Sequence, residues 1–299
     1  MHNARKILFG LAVTVLILAC GFGGAAAPTG DEVATVVAST IEALSPVAPD
    51  ATATTAAPMP PGIPVNYKNV SFTIPAGLAV DAAPQTVSAV SKDNGGPWWD
   101  AAPEHIEFRM DGYNVPAGSF SEIHVRVYPA QEYAAANDGA NIGLQRLQGL
   151  LSSPSVVPTN STLPQVPYFN AASMFAAQIK RIDFQSGHGL RMITQYGQAV
   201  GPIANNGTFY HFQGLTSDGK YYIIAVLPIR ASFLQNGNDP SSPLPAGGIP
   251  FPGHNLSGPK YFDDYFKAIT DKFDATAPDQ FSPSLAALDA LVQSLKVTP

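Results

Sequence analysis

The residues best placed to do chemistry gather in one short stretch, GGPWWDAAPEH, covering residues 95–105. Trp98 and Trp99 are the only tryptophans of the chain, adjacent and flanked by Gly and Pro. In a strand one ring would point inward and the other outward; in a loop both can be exposed. Exposed indoles stack on sugars or fill a partner's pocket, and Trp is enriched among binding hot spots, whereas large aromatics also plug the ends of cores. Asp100 and Glu104 are the acidic pair in this aromatic setting, with His105 beside them. Assigning this pair to glycoside hydrolysis requires the separation of the two carboxyls, which decides the mechanism and which the sequence does not set.

Further candidates lie in later segments. His188 sits in SGHG before a strand and His211 in TFYHFQ. If those strands are neighbours the two rings can meet, and Asp183 would complete a ligand set. HExxH, histidines paired at i and i+4, and the calcium loop are all absent, so neither a metal nor a cofactor is expected. The G-x-S-x-G elbow is absent too. Ser217-Asp218-Gly219-Lys220 matches S-x-x-K, but that motif needs a helix start with Lys one turn on, and this segment reads as a hairpin turn. The Pro/Gly-rich stretch from Asn236 to Pro259 exceeds the roughly 12–15 residues usual for a structureless loop, which marks it as functional or disordered. Ile249, Phe251 and Pro252 can pack it down as an ordered lid or rim, and Phe251 and His254 are its candidate contacts.

One residue speaks about location. The only cysteine, Cys20, directly follows the most apolar run. Arg5 and Lys6 form a positive n-region, and Ile7 to Ala19 is an uncharged segment shorter than the roughly 20 residues that span a bilayer. Ile17-Leu18-Ala19-Cys20 resembles the bacterial lipobox, although Leu18 is bulkier than the small residue often found there. The resemblance implies that residues 1–19 are a signal peptide and that Cys20 is the lipidated mature N-terminus. Acyl chains on that residue would supply the multiple anchors that stable membrane attachment needs. Residues 20–63 are rich in Ala, Thr and Pro and poor in aromatics, the composition of a disordered spacer.

Composition excludes several functions. The chain has 299 residues, 45% apolar, enough for a real core, but only 13% charged, with 28 Pro and 26 Gly. Net charge is −6 with no basic cluster, so nucleic acid is not an expected partner. A single thiol excludes an intrachain disulfide framework, CxxC chemistry and multi-thiolate zinc. The expected contacts are a membrane, through the N-terminal lipid, and a protein or carbohydrate ligand; nothing in the sequence signals an oligomeric state.

The elements that must position these residues follow from periodicity. Around Val65 a folded domain (64–299) begins. Val70, Phe72 and Ile74 alternate with polar residues, as do Ile106, Phe108 and Met110 in HIEFRM, and Ile123, Val125 and Val127 in EIHVRVY. With FAAQIKRIDF, LRMITQY, TFYHFQGL and KYYIIAVLPI this makes about seven strands. Asp218-Gly219 supplies the positive φ of a tight hairpin, and the nearly continuous apolar run Tyr222 to Leu227 predicts a central strand. In PKYFDDYFKAITDKF, Phe262, Tyr265, Phe266, Ile269 and Phe273 form a helical stripe. SPSLAALDALVQSL predicts a second helix, with Ser282 as N-cap, Pro283 at its first position and Leu285, Leu288, Leu291, Val292 and Leu295 buried. A third, from about Gln131 to Leu151, is weakened by Gly139, Gly143 and Gly149.

Strands without βαβ alternation, ending in helices, predict an α+β domain: a predominantly antiparallel sheet covered by amphipathic helices. The SFTIP opening strand, the YHFQGLTSDGKYYIIAVLPI block and the final LDALVQSL helix resemble the PsbP/Mog1-like α/β/α sandwich found in exported bacterial lipoproteins. That resemblance implies a non-enzymatic binding or accessory module. Two alternatives stay open. One is an exported hydrolase acting on a glycan or ester, with its acid or base among Asp100, Glu104, His105, His188 and His211 converging in one pocket. The other is a structural component of an envelope complex, marked by a large exposed apolar patch.

Overall fold

The computed structural model describes residues 62–114, 119, 121–166, 170–253 and 259–299. Cys20, the leader, the spacer to residue 61 and His254 lie outside the described residues. The run NYKNVSFTIP is one arm and the turn of a hairpin rather than a lone strand. β1 (Gly62–Tyr67) pairs antiparallel with β2 (Val70–Pro75), across a turn that holds Lys68 at φ 50°. Val70, Phe72 and Ile74 are buried, as their alternation requires.

The remaining long strands are β3 (Asp81–Val87), β4 (His105–Asp111), β5 (His124–Pro129), β6 (Ala172–Phe184), β7 (Gly187–Gly197), β8 (Thr208–Thr216) and β9 (Tyr221–Pro228). They form one seven-stranded sheet in the order β3-β4-β5-β9-β8-β7-β6, with every neighbouring pair antiparallel. The apolar run of β9 occupies the middle position, where both faces are covered. The β8–β9 turn closes as its residues dictate: Gly219 takes φ 71° and its N–H donates to Thr216 O at 2.8 Å. Short pairs complete the fold. β10 (Arg230–Ala231) bridges β11 (Phe281–Ser282), and β12 (Lys296–Val297) joins the edge of β2.

Helices lie on both faces. α1 (Ala130–Ala136) and α2 (Asp138–Ser152) replace the single helix expected there, because Asn137 adopts an extended conformation between them and its side chain caps α2. Gly143 has a packing reason within α2: a Cβ there would meet Gln165 O at 3.1 Å and the Tyr222 hydroxyl at 3.4 Å. On the opposite face lie α3 (Pro259–Asp274) and α4 (Leu285–Gln293). The stripe Tyr265, Ile269 and Phe273 of α3 is buried, as are Leu285, Leu288, Leu291, Val292 and Leu295 in and just after α4. The α4 cap is Ser284, not Ser282, since Ser282 is held in the bridge with Arg230. Within the 236–259 stretch, Ile249 and Phe251 pack against the core beside α3, with the Phe251 ring 5.3 Å from Tyr265 and 5.9 Å from Phe262.

Two cores therefore sandwich the sheet. One joins Ile106, Phe108, Val125, Val127, Ile223 and Leu227 to α3, α4 and the β1–β2 hairpin; the other joins Tyr128, Tyr222, Ile224, Val226, Leu190 and Phe209 to α1 and α2. α4 is also tied to the sheet by charge. Asp289, 7% exposed, accepts from Tyr210 at 3.0 Å and from Lys180 at 2.9 Å and pairs with the Arg191 Nε at 3.2 Å. On the other face, α1 packs on β5 and α2 on β7 and β8, and among the described residues no helix packs closely on the β3–β4 end of the sheet.

Candidate functional site

Where helix cover stops, the side chains that point away from the first core become the floor of a pocket. Opposite Ile106, Phe108 and Met110 on β4 stand His105, Glu107 and Arg109; opposite Val125 and Val127 on β5 stand His124, Arg126 and Tyr128. Antiparallel register places Gln85, Glu107 and Arg126 in one cross-strand row, and Val87 beside His105 in another. The resulting cavity, about 600 Å³, is lined by these rows and by Trp99, Asp100, Glu122 and Tyr133. Its size falls within the range of small-molecule sites.

Electrostatics centre on Glu107, 1% exposed. Its carboxylate accepts from Gln85 Nε2 at 2.7 Å, Arg109 Nε at 2.8 Å and Arg126 Nε at 2.5 Å. Burial alone would raise its pKa, but the Arg126 charge and the hydrogen bonds from Arg109, Arg126 and Gln85 outweigh burial and hold it at about 2. The carboxylate is ionised, with donors on both oxygens. His105 stacks on Tyr128 at 4.4 Å, and Tyr128 on Tyr133 at 4.1 Å. Burial lowers the His105 pKa, so the ring is neutral at pH 7. Its Nδ1 lies 2.9 Å from Pro103 O. Since a carbonyl only accepts, Nδ1 carries the proton and Nε2 is the basic nitrogen.

The tryptophan turn is built by its neighbours. Residues Trp98–Asp100 form one 3-10 turn, and its flanks are joined by the Val90–Ala102 bridge. Asn137 Nδ2 donates to Trp98 O at 3.0 Å and to Ala101 O at 3.1 Å, while its Oδ1 accepts from the N–H groups of Gly139 and Ala140. One side chain thus starts α2 and fixes the turn. Trp99 is half-buried and lines the pocket; Trp98 is 53% exposed, its ring edge-on to Trp99 at 5.8 Å. Asn137→Ala is expected to cost about 1–2 kcal/mol through the lost cap and to red-shift tryptophan emission as the turn loosens. An unchanged emission maximum would show that Asn137 does not hold the turn.

No protein-family model, curated protein or solved structure matches the chain. Function is therefore read from side chains alone.

Of the residues singled out in the sequence, Trp99, Asp100 and His105 meet in this pocket. Glu104 is exposed and does not line it. β7 and β8 are neighbours, yet His188 lies opposite Leu215 and His211 opposite Met192. That separation, four residues along the strand, is roughly 13 Å, so the two histidines do not form a ligand set. His188 instead pairs with Asp183 at 2.8 Å on the surface of the β6–β7 hairpin. Among the described residues no three His, Cys, Asp or Glu side chains group to hold a metal. Phe251 anchors its loop on α3, and no described residue of the loop lines the pocket.

His211 is 1% exposed, between the rings of Phe209 at 5.6 Å and Tyr196 at 6.0 Å, and neither ring nitrogen has a hydrogen-bond partner among the described residues. Burial pushes its pKa down to about 3. His211→Phe is expected to stabilise the protein by about 1–3 kcal/mol at pH 7, because a desolvated, unpaired polar group is removed. Urea melts that show a loss instead would mean that the imidazole has a polar partner.

A second cavity of about 660 Å³ is lined by Met174, Tyr196, Val200, Pro202 and Phe209 among others, with no charged side chain or histidine among the described residues. It offers shape without acid–base groups. Sequence reasoning missed Gln85, Glu107, Arg109, Glu122 and Arg126 in the first pocket. The signal for the four charged ones lay in the polar halves of HIEFRM and EIHVRV, where charges of both signs alternate with core residues; Gln85, in DAAPQTV, had none.

Proposed function

We propose that the chain is a membrane-anchored cell-envelope lipoprotein whose α+β domain is a non-catalytic binding module, with the pocket over β3, β4 and β5 as its ligand site. The observation that carries the binding role is Glu107, ionised and already held by Gln85, Arg109 and Arg126. A carboxylate fixed in this way organises donors for a ligand; it is a poor proton acceptor, since a general base works best with a pKa near the operating pH. The anchor reading rests on Cys20 and the segment before it; among the described residues no helix is long and apolar enough to cross a membrane.

The hydrolase reading has one observation in its favour: Asp100 and His105 line the same pocket, and His105 keeps a basic Nε2. Against it, the buried carboxylate at hand, Glu107, is committed to its ion pairs, and Glu122 is exposed at the rim, 3.9 Å from Arg126.

Two measurements test the proposal. Wild-type protein is expected in the membrane fraction after alkaline washing and Cys20→Ser in the soluble fraction; a variant that stays with membranes overturns the lipid anchor. A thermal-shift screen of the full chain is expected to give stabilising compounds whose effect disappears in Trp99→Ala. Compounds turned over by the wild type but not by His105→Gln would establish the hydrolase instead.

A further inference from the structure

We infer that the ligand of this pocket is an uncharged sugar ring of a glycan, stacked on Trp99 and hydrogen-bonded by Arg109, Arg126 and the neighbouring carboxylates. This rests on the pocket being a binding site and specifies what it binds.

The wall offers donors and acceptors side by side. Guanidinium N–H groups can only donate and carboxylate oxygens can only accept, so a wall carrying both suits a ligand whose groups do both. Vicinal hydroxyls meet that condition; a phosphate or carboxylate ligand would need donors alone, and an ammonium acceptors alone. Arg109 and Arg126 each commit Nε to Glu107, which fixes the planes of both forks before any ligand arrives. A guanidinium has five N–H groups, so Arg109 keeps most of its donor capacity beyond that one bond, while Arg126 also bonds Tyr128 and lies 3.9 Å from Glu122. Preorganisation of this kind removes the rotamer cost that long side chains otherwise bring to binding.

Charge balance points the same way. Asp100, Glu107 and Glu122 face Arg109 and Arg126, and His105 is neutral. The near cancellation gives little attraction to a strongly charged ligand of either sign. The remaining surface is aromatic. Trp99 is half-buried on a turn pinned by Asn137, presenting a rigid indole whose apolar face suits the C–H side of a pyranose.

The two tryptophans are the only ones in the chain, so intrinsic fluorescence reports from the pocket mouth. Trp98→Phe leaves Trp99 as sole reporter. The full chain is probed on a glycan array that also carries immobilised spermine and polyphosphate, and positive glycans are then titrated in solution. The expected result is saturable binding to uncharged glycans with a shift in Trp99 emission, weakened roughly ten- to a hundredfold by Arg109→Met and by Trp99→Ala. Arg109 is 57% exposed and Glu107 keeps Gln85 and Arg126 as donors in its absence, and urea melts of the variant separate lost binding from lost stability. Binding to spermine or polyphosphate alone overturns the sugar assignment while leaving the pocket as a ligand site. Binding to nothing, or binding to glycans that both variants retain, overturns the pocket reading as well.

Discussion

Asp289→Ala is expected to lower the unfolding free energy by about 3–5 kcal/mol, the usual cost of removing one partner from a buried ion pair. Arg191 is 4% exposed and lies under α4 with its Nε 3.2 Å from Asp289, so the substitution strands a desolvated guanidinium. Its Nη1 retains the Gln178 carbonyl, which does not neutralise the charge. The Tyr210 hydroxyl, also buried, loses its acceptor. Lys180 adds little, since its side chain is 52% exposed and water competes for it. Asp289→Asn should fall between wild type and Ala, because an amide oxygen still accepts from Tyr210. Urea denaturation of the full chain decides the matter: a loss below about 1 kcal/mol would place the pair with ordinary surface salt bridges.

Glu107→Ala is expected to cost about 2–3 kcal/mol, the value of charge-assisted hydrogen bonds lost from a buried carboxylate, and to release Arg109 and Arg126 from their fixed planes. Stability should also change with pH in a defined way. The folded carboxyl titrates at about 2 instead of its ordinary 4.5. Its stabilising contribution is complete above pH 4.5 and is lost as pH falls towards 2. His211 acts in a higher window. Its folded pKa of about 3 lies below the ordinary 6.5, so the unfolded chain binds the proton first and stability falls as pH drops from 6.5 to 3. Each group in its window contributes a slope of about 1.4 kcal/mol per pH unit. His211→Phe should therefore flatten the stability curve mainly between pH 6.5 and 4.5, where Glu107 has not begun to titrate, and Glu107→Gln only below 4.5. Identical acid limbs in wild type and both variants would remove these two groups from the account.

Much of the fold was legible because its signals are local. Alternation at Ile106, Phe108 and Met110 assigned a strand and a core face, Asp218-Gly219 a hairpin, and the run from Tyr222 to Leu227 a central position; each depends on neighbours within a few residues. The misplacements have causes distant in sequence. Asn137 looks like an ordinary helical residue until its side chain is seen capping α2 and holding the carbonyls of Trp98 and Ala101. Ser282-Pro283 reads as a helix start, yet Ser282 is taken by the bridge to Arg230, distant in sequence.

The site was half legible. Trp99, Asp100 and His105 stood out by composition, since aromatic and titratable residues between Gly and Pro are conspicuous. Glu107, Arg109 and Arg126 did not, because a charged residue alternating with core residues has the same pattern whether its face is solvated or lines a cavity. What separates those cases is how far the helices reach across the sheet. α1 and α2 cover β5, β7 and β8 and stop short of β3 and β4.

By itself, then, the sequence determined β2 and β4 to β9 with their inward faces, two of the helical stripes, and the singular position of Cys20 after an apolar run, all written in spacing along the chain; it did not show β3, whose run DAAPQTV lacks apolar alternation, nor that β2 pairs with β1 and β12 outside the seven-stranded sheet. Only the tertiary structure decided that His188 and His211 stay apart and that Glu107 sits between two arginines. These depend on register and on layer coverage, quantities fixed by contacts between segments that no local pattern encodes.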